Sequence, residues 1–207
     1  MINQLTQTFT LDNAQQTLLN GMLPFNRDDW ERGTNTITGI RDSIGTQLRI
    51  FQNEKCCYCG LNYDETGQGQ IEHIAPKKGR PREYPEFSFH ELNLAMACQL
   101  CNSKTMKGEY NSINVMNANY SQCTFRIVHP YLDNHTLHYK WNHGVLRVLI
   151  TGISNEARES IRLFKLAEEH RTTARAKQKN QERLVALYNL PQNTINRIKS
   201  VLNFRNQ

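Results

Sequence analysis

The stretch CCYCG, residues 56–60, places two cysteines three positions apart, and CQLC, residues 98–101, repeats that spacing. Two CxxC pairs supply four thiolates, the ligand set that holds structural zinc tetrahedrally at about 2.3 Å per sulfur. The spacing therefore predicts a zinc site made of two chelating loops, or zinc knuckles. Its predicted ligands are Cys56, Cys59, Cys98 and Cys101.

The surroundings of the two pairs refine this prediction. Gly60 relieves the tight turn after the first pair. The 38 residues between the pairs exceed the roughly 15–20 residues typical of a zinc ribbon, so a substantial insert must separate the two halves of the site. Cys57 could replace Cys56 only by breaking the two-residue spacing, and Cys123 is predicted to be a buried thiol. Four unrelated cysteines remain the alternative.

The chain start and its hydropathy predict a cytoplasmic protein. The opening MINQLTQTF has neither a basic region nor an apolar region of the kind that a signal peptide requires. No run approaches the roughly 18 apolar residues of a membrane span, so no membrane is expected among the partners. In a reducing compartment, paired cysteines favour metal binding over disulfides.

The charge distribution favours an anionic partner. The chain has 207 residues, of which 38% are apolar, and a formal net charge of +6. Most of the excess is C-terminal, since residues 154–207 carry 11 basic and 5 acidic side chains. Such a surface is typical of contact with a polyanion, although a solvated helix surface would have the same composition.

Residues 1–108 are predicted to form helices, one strand and a long loop. The first 24 residues are expected to be helical in part, and residues 37–53 have the apolar spacing of one helix face. Residues 70–75 predict a short strand, and three prolines between 76 and 89 predict a long loop. Residues 95–108 are expected to form a short helix. The apolar face of the 37–53 helix comprises Ile37, Ile40, Ile44, Leu48 and Phe51.

A β-hairpin is predicted over residues 137–150, where apolar side chains alternate on either side of a turn. The turn is expected at Asn142, His143 and Gly144. Apolar side chains on the two strands are Leu137, Tyr139 and Trp141, then Leu146, Val148 and Ile150.

The C-terminal region is predicted to be helical. Ser154 has the character of an N-cap, and a helix is expected to run from it through Ala167. Residues 168–183 contain no large apolar side chain, so we expect this stretch to be exposed or covered by another molecule. Burial is expected to resume at Leu184, Leu187 and Leu190 before a last helix over 193–204.

The insert between the cysteine pairs carries polar residues in a recognisable order. Glu72 and His73 end the predicted strand in IEHIAPK, Asn93 begins the NL dipeptide before the second pair, and Asn102 follows it. The pattern CxYCG, EHIxPK and NLxxxCxxCN resembles the HNH endonuclease family. The resemblance covers about residues 56–108.

This resemblance implies an α+β fold with a ββα-metal core, flanked by helices and a β-hairpin. The strand would end on His73, the general base that takes a proton from water. Glu72 and Asn102 would bind one divalent cation, with Mg²⁺ the expected ion, and Asn93 would hold the loop so that His73 points inward. The implied division is an N-terminal helical segment (1–53), a nuclease core (54–110) and a C-terminal extension (111–207).

A wider and softer similarity extends to VHPYLDN, the hairpin and SIRLFKL. It is to the HNH subunit of Septu and retron-associated anti-phage systems, which works beside an ATPase. It implies an ATPase partner and a nucleic acid substrate, with DNA favoured and RNA possible. The residues expected to contact phosphates are Lys77, Lys78, Arg80, Arg82, Lys104 and Lys107.

The chain departs from the family pattern at three positions. Asn102 stands where many members have His, and Glu72 is one methylene longer than the common Asp. Thr105 occupies the position of a frequent Lys, with Lys104 and Lys107 on either side. The alternative interpretation is a non-catalytic zinc-knuckle subunit that binds nucleic acid or a partner, with His73 as a core histidine. His129 and Asp133 form the only other candidate pair.

Overall fold

Over the described residues, the fold is mixed α/β, with three small sheets and with helices before the first strand and after the last. The structure, a computed structural model, describes residues 2–144, 146–188, 191, 193, 194, 196, 197 and 200. The α-helices are α1 (Asn13–Asn20), α2 (Asn35–Phe51), α3 (Tyr63–Thr66), α4 (His135–His138), α5 (Asn155–Leu163) and α6 (Glu169–Tyr188). The strands are β1 (Gly69–His73), β2 (Leu94–Cys98), β3 (Ile113–Val115), β4 (Thr124–Phe125), β5 (Tyr139–Trp141) and β6 (Ile150–Gly152).

Helix α2 forms as its apolar spacing predicts. Thr34 caps it by accepting a hydrogen bond from the Ile37 amide. The helix packs against the β1–β2 sheet. Burial of each isoleucine or leucine on its apolar face stabilises the fold by roughly 1.5–3 kcal/mol. Phe51, also expected on this face, is only partly buried. The fully buried side chains of α2 are Ile37, Ile40, Ile44 and Leu48.

Strands β1 and β2 form an antiparallel pair, and both lie largely within the segment that separates the two cysteine pairs. Their register sets Gly69 opposite Cys98 and His73 opposite Leu94. The strand predicted at 70–75 forms but ends two residues earlier, at His73, and the loop predicted at 76–89 forms with one short 3₁₀ turn at Pro85–Phe87.

The helix predicted over 95–108 is wrong. Residues 94–98 are a strand buried on both faces, and residues 99–109 form consecutive turns. A short apolar run fits a buried strand and a buried helix equally well, so periodicity could not decide between them. Pairing decides for the strand: β1 lies on one edge, and the buried Gln52 side chain bonds both the amide and the carbonyl of Met96 at 2.8 Å on the other. Asn102 therefore lies on a turn.

The hairpin predicted over 137–150 forms with shorter strands, and its expected three-residue turn at 142–144 is wrong, because residues 142–149 all lie between the two strands. Tyr139 lies opposite Gly152, and Trp141 lies opposite Ile150. Leu137 belongs instead to α4 and is 69% exposed, because Asn134 caps a helical turn there through the Thr136 amide. Leu146 and Val148, expected in the second strand, lie in the connection between β5 and β6.

The C-terminal helices differ from prediction in their bounds and burial. Ser154 caps α5 as expected, but the helix ends at Leu163, before Lys165 adopts a positive φ of 53°. Leu184 is exposed rather than buried. The Leu187 side chain, Leu190 and the residues that define the last predicted helix, Ile195, Ile198, Val201 and Leu202, lie outside the described residues.

Part of the stretch 168–183 is exposed as expected, for example at Glu169 and His170, but one face of it is covered by the chain itself. Arg171, Arg175 and Gln178 on α6 are each at most 2% exposed, buried against the chain itself. One cluster of buried apolar side chains, running from Ile2 to Leu166, draws on all three predicted segments. Within the described part of the chain, no helix has the length and apolar character that crossing a membrane requires.

Candidate functional site

The two cysteine pairs meet in one buried cluster. The four sulfurs lie within 4.8 Å of one another, and each residue is at most 2% exposed. Strand β1 makes this possible, because its pairing with β2 brings Cys98 back beside the loop that holds Cys56 and Cys59. Cys123 is a buried thiol outside the cluster, as predicted, and Cys57 is likewise buried and is not one of the four cysteines of the cluster.

The dimensions and surroundings of the cluster fit zinc. Bonds of about 2.3 Å in a tetrahedron separate sulfurs by about 3.8 Å, and Cys59 Sγ lies 3.9 Å from Cys98 Sγ. The Cys101 amide donates to Cys98 Sγ at 3.5 Å, a contact that stabilises a thiolate. Hydrogen bonding to Cys101 lowers the pKa of Cys98 to about 7. The four-cysteine cluster could therefore hold a zinc ion.

Gly60 has the role predicted for it at the first knuckle. Its φ is 69°, in the left-handed region that glycine adopts without strain, and its amide donates to Cys56 O at 2.9 Å. The second knuckle closes in the same way, with the Asn102 amide donating to Cys98 O at 3.0 Å. Both turns wrap the backbone around the sulfurs.

Glu72 lies inside the protein, in an ion pair with Lys107. Lys107 Nζ is 3.1 Å from Glu72 Oε1, and the two side chains are 0% and 5% exposed. Tyr58 donates to the same oxygen at 3.2 Å. Burial raises the pKa of Glu72, and Lys107 opposes that rise. The prediction that Lys107 contacts nucleic acid does not agree with this position, because its ammonium group is buried.

His73 follows Glu72 on β1, so its side chain leaves the opposite face of the strand. Nε2 lies 3.1 Å from Ser88 O, and the ring packs perpendicular to the Trp30 ring with centroids 4.6 Å apart. A carbonyl only accepts, so Nε2 carries the proton and Nδ1 holds the lone pair. Burial lowers the pKa of His73 to about 3, which keeps the imidazole neutral at physiological pH.

Asn93 fixes the start of the loop that follows His73. Its Nδ2 donates to Ala75 O at 3.2 Å and to Phe87 O at 2.9 Å, while its Oδ1 accepts from the Ala75 amide at 2.6 Å. Its backbone carbonyl also accepts from the Ile74 amide. One fully buried amide thus ties both ends of the loop to the end of β1.

A second layer of side chains lies behind Asn93 and was not predicted from the sequence. Tyr120 Oη lies 2.9 Å from Asn93 Oδ1 and 3.0 Å from His129 Nε2. His129 Nδ1 accepts from the Tyr131 and Leu132 amides, so Nε2 carries the proton. The bonds therefore run from His129 to Tyr120 to Asn93.

The pair expected at His129 and Asp133 forms differently, because Asp133 accepts from the His129 backbone amide and not from its ring. No local motif marks this layer in the sequence. Aromatic and histidine side chains 27 or more residues from Asn93 are found only once the chain has folded.

The remaining predicted site residues do not share one hydrogen-bond network with Glu72 and His73. Asn102 is half-buried, and its Nδ2 donates to Gln70 Oε1 at 3.1 Å. Gln70 lies two residues before Glu72, so both side chains leave the same face of β1. The structure thus sets Asn102 towards the Glu72 face of the hairpin and His73 on the other.

Apart from the buried Lys107, the five predicted phosphate-contacting residues divide into two groups. Lys77 lies 3.1 Å from Glu31, and Lys78 contacts both Glu31 and Asp28, so neither ammonium group is free. The other three side chains are exposed: Arg80, which pairs with Glu109 at 3.2 Å, Arg82, which lies over the Tyr84 ring, and Lys104.

No protein-family model matches this chain, and a search of curated proteins returns no relative.

Proposed function

We propose that the protein is a metal-dependent endonuclease of the HNH type, stabilised by a structural zinc ion. One observation carries the proposal. His73, a neutral histidine, ends β1 with its tautomer fixed by a hydrogen bond to Ser88 O, and Asn93 holds the start of the loop that follows it. In this proposal, the β1–β2 hairpin and the turns after Cys101 form the metal-binding core.

His73 is the proposed general base. Its Nδ1 lone pair takes a proton from a water molecule, whose oxygen attacks phosphorus while the bond to the 3′ oxygen breaks. A pKa of about 3 makes this imidazole a weak base in the absence of substrate. A phosphodiester beside the ring raises the pKa, because a nearby negative charge favours the imidazolium. Substrate binding would then strengthen the base where it is needed.

Glu72 and Asn102 are the proposed ligands of the catalytic cation, with Mg²⁺ the expected ion. A hard cation prefers such oxygens, and when bound it would stabilise charge on the phosphate. Both residues lie towards the face of the hairpin opposite to that of His73, so one phosphodiester would reach both the cation and the His73 ring only if the end of β1 rearranges. Glu72 would have to exchange its contact with Lys107 for the metal, directly or through a water.

The proposed substrate is nucleic acid, with DNA favoured and RNA such as tRNA possible. Arg80, Arg82 and Lys104 are exposed and suited to phosphate contact, while Lys77 and Lys78 would first have to leave their acidic partners. Phosphate contacts would position the substrate without reading its sequence. The proposal includes a cytoplasmic location, an ATPase partner and a role in anti-phage defence.

Metal dependence tests the proposal. Purified, zinc-loaded protein would be incubated with supercoiled plasmid, single-stranded DNA and tRNA, with Mg²⁺, Mn²⁺ or no added cation. We expect a product from at least one substrate only when a divalent cation is added, and less of it with Glu72→Gln. A parallel series would include the proposed ATPase partner, which would also be tested for co-elution with this protein. No product in either series would overturn the proposal.

A non-catalytic zinc-knuckle subunit is the second candidate, and the burial of the acid–histidine pair favours it. Glu72 is engaged by Lys107, and His73 is only 7% exposed beneath Trp30. This candidate predicts binding to nucleic acid that weakens as salt rises. It also predicts no cation-dependent product from any substrate in the same experiment.

A further inference from the structure

Helix α6 approaches the cysteine cluster with a polar face. Arg171, Arg175, Gln178 and Glu182 recur at intervals of four, three and four residues, so they share one side of the helix. The first three are nearly inaccessible to solvent. A buried helix face normally carries apolar side chains, so this composition calls for a specific explanation.

Two of these residues bind the first zinc knuckle from outside. Gln178 donates to Gly60 O at 3.0 Å and accepts from the Asn62 amide at 2.8 Å. Glu182 forms an ion pair with Lys55 at 2.8 Å. The polar side chains in the C-terminal half of this face therefore all have partners within residues 55–62, either backbone groups or the charged side chain of Lys55.

Arg171 is buried beside the sulfurs and lacks a conventional partner. One of its terminal nitrogens lies 3.4 Å from Cys101 Sγ and 3.6 Å from Met106 Sδ. Its Nε and other terminal nitrogen make no hydrogen bond with the described residues. No carboxylate in the described part of the chain pairs with it.

Arg175 is buried one turn later but is held differently. It donates to the carbonyls of Val148 and Leu166, and its guanidinium lies 5.3 Å from the centre of the Trp141 ring. These contacts provide acceptors and an aromatic face but no negative charge. Two buried guanidinium groups therefore lie on α6 without a carboxylate, among the described residues, to balance them.

A buried cation is costly unless an opposite charge compensates for it. Four neutral thiols provide no such charge. Four thiolates around Zn²⁺ leave two negative charges in excess, which equal the two arginines in number and are opposite to them in sign. We propose that the zinc-loaded four-cysteine cluster holds α6 in place, with Arg171 as the charge-balancing residue, so that loss of zinc releases this helix. The proposal is independent of nuclease activity.

Hydrogen exchange and zinc release together test this proposal on the full chain. In the parent protein, removal of zinc with a chelator should speed amide exchange across α6 while α2 stays protected. Arg171→Met should speed exchange in α6 and accelerate zinc transfer to a chromophoric chelator by about 10–100-fold, the usual effect of losing a partner of a metal ligand. Arg171→Lys, which keeps the charge, should fall between the parent and Arg171→Met.

The matched control is Arg183→Met, a position on the same helix away from the buried polar face, which should leave both measurements unchanged. If Arg171→Met transferred zinc at the parent rate, the proposal would be overturned. It would also be overturned if α2 and α6 lost protection together when zinc is removed, because that result would mean global unfolding. If Arg171→Met does not fold, the parent and Arg171→Lys give the same two readouts.

Discussion

Replacing Lys107 by Met would leave Glu72 as an unpaired carboxylate inside the protein. The substitution keeps a similar length but removes the ammonium group 3.1 Å from Glu72 Oε1. Tyr58 would remain as a hydrogen-bond donor, since its hydroxyl lies 3.2 Å from the same oxygen. One neutral donor cannot replace the lost charge, so we expect the variant to be less stable.

The structure sets the size of this loss. Unit charges 3.1 Å apart attract by about 5 kcal/mol at an effective dielectric constant of about 20. Part of that attraction offsets the cost of removing both charges from water. Breaking a buried pair on one side typically costs about 3–5 kcal/mol. We therefore expect Lys107→Met to lower the free energy of unfolding by about 3 kcal/mol at pH ~8.

The loss should depend on pH with a definite sign. Without Lys107, burial raises the pKa of Glu72 further above its ordinary value of 4.5. A carboxyl whose pKa is raised on folding favours the folded state below its unfolded pKa, and this contribution is lost as pH rises through the folded value. Lys107→Met should thus be closer to the parent at pH 5 than at pH 8.

Urea unfolding, followed by circular dichroism at pH 5 and pH 8 without added divalent cations, measures both effects. Adding Glu72→Gln to Lys107→Met should restore much of the stability at pH 8, since no charge then remains buried. A loss of equal size at both pH values, with no recovery in the double variant, would refute the buried ion pair.

Three further perturbations follow from the described contacts. Tyr120→Phe should lower the free energy of unfolding by about 1–3 kcal/mol in urea, because His129 Nε2 and Asn93 Oδ1 lose their shared partner; an unchanged midpoint would contradict this network. Burial lowers the pKa of His129 to about 3 from 6.5, so stability present above pH 6.5 should decline as pH falls towards 3. His129→Gln should make that decline shallower in an acid titration, and an identical slope would count against it. Ser154→Ala should cost about 1 kcal/mol in thermal unfolding, because the Ala157 amide loses its cap; a wild-type midpoint would exclude this contribution.

Patterns with a single structural solution could be predicted from sequence. The four-cysteine cluster follows from two chelating pairs, because a CxxC loop can present both sulfurs to one point. Helix α2 follows from apolar spacing over 17 residues, which only a helix places on one side. Ser154 was identifiable because capping depends on neighbours in the chain.

Features set by distant pairing could not be predicted. LAMAC, residues 94–98, is a strand because β1 and Gln52 satisfy its two edges, and neither is local in sequence. Arg171 and Lys107 looked like surface cations because their partners, Cys101 and Glu72, are brought beside them only by folding. Charge composition indicates how many cations a chain has, but their burial depends on tertiary structure.

The role of His73 is the central claim and can be measured directly. Single-turnover cleavage of the best substrate with Mg²⁺ would compare the parent with His73→Ala and with His170→Ala, an exposed histidine on α6. We predict a loss of about 10²–10⁴-fold for His73→Ala, the usual contribution of a general base. Zinc content should be unchanged in both variants, and His170→Ala should cleave at the parent rate. Cleavage by a folded, zinc-loaded His73→Ala protein at the parent rate would contradict the account.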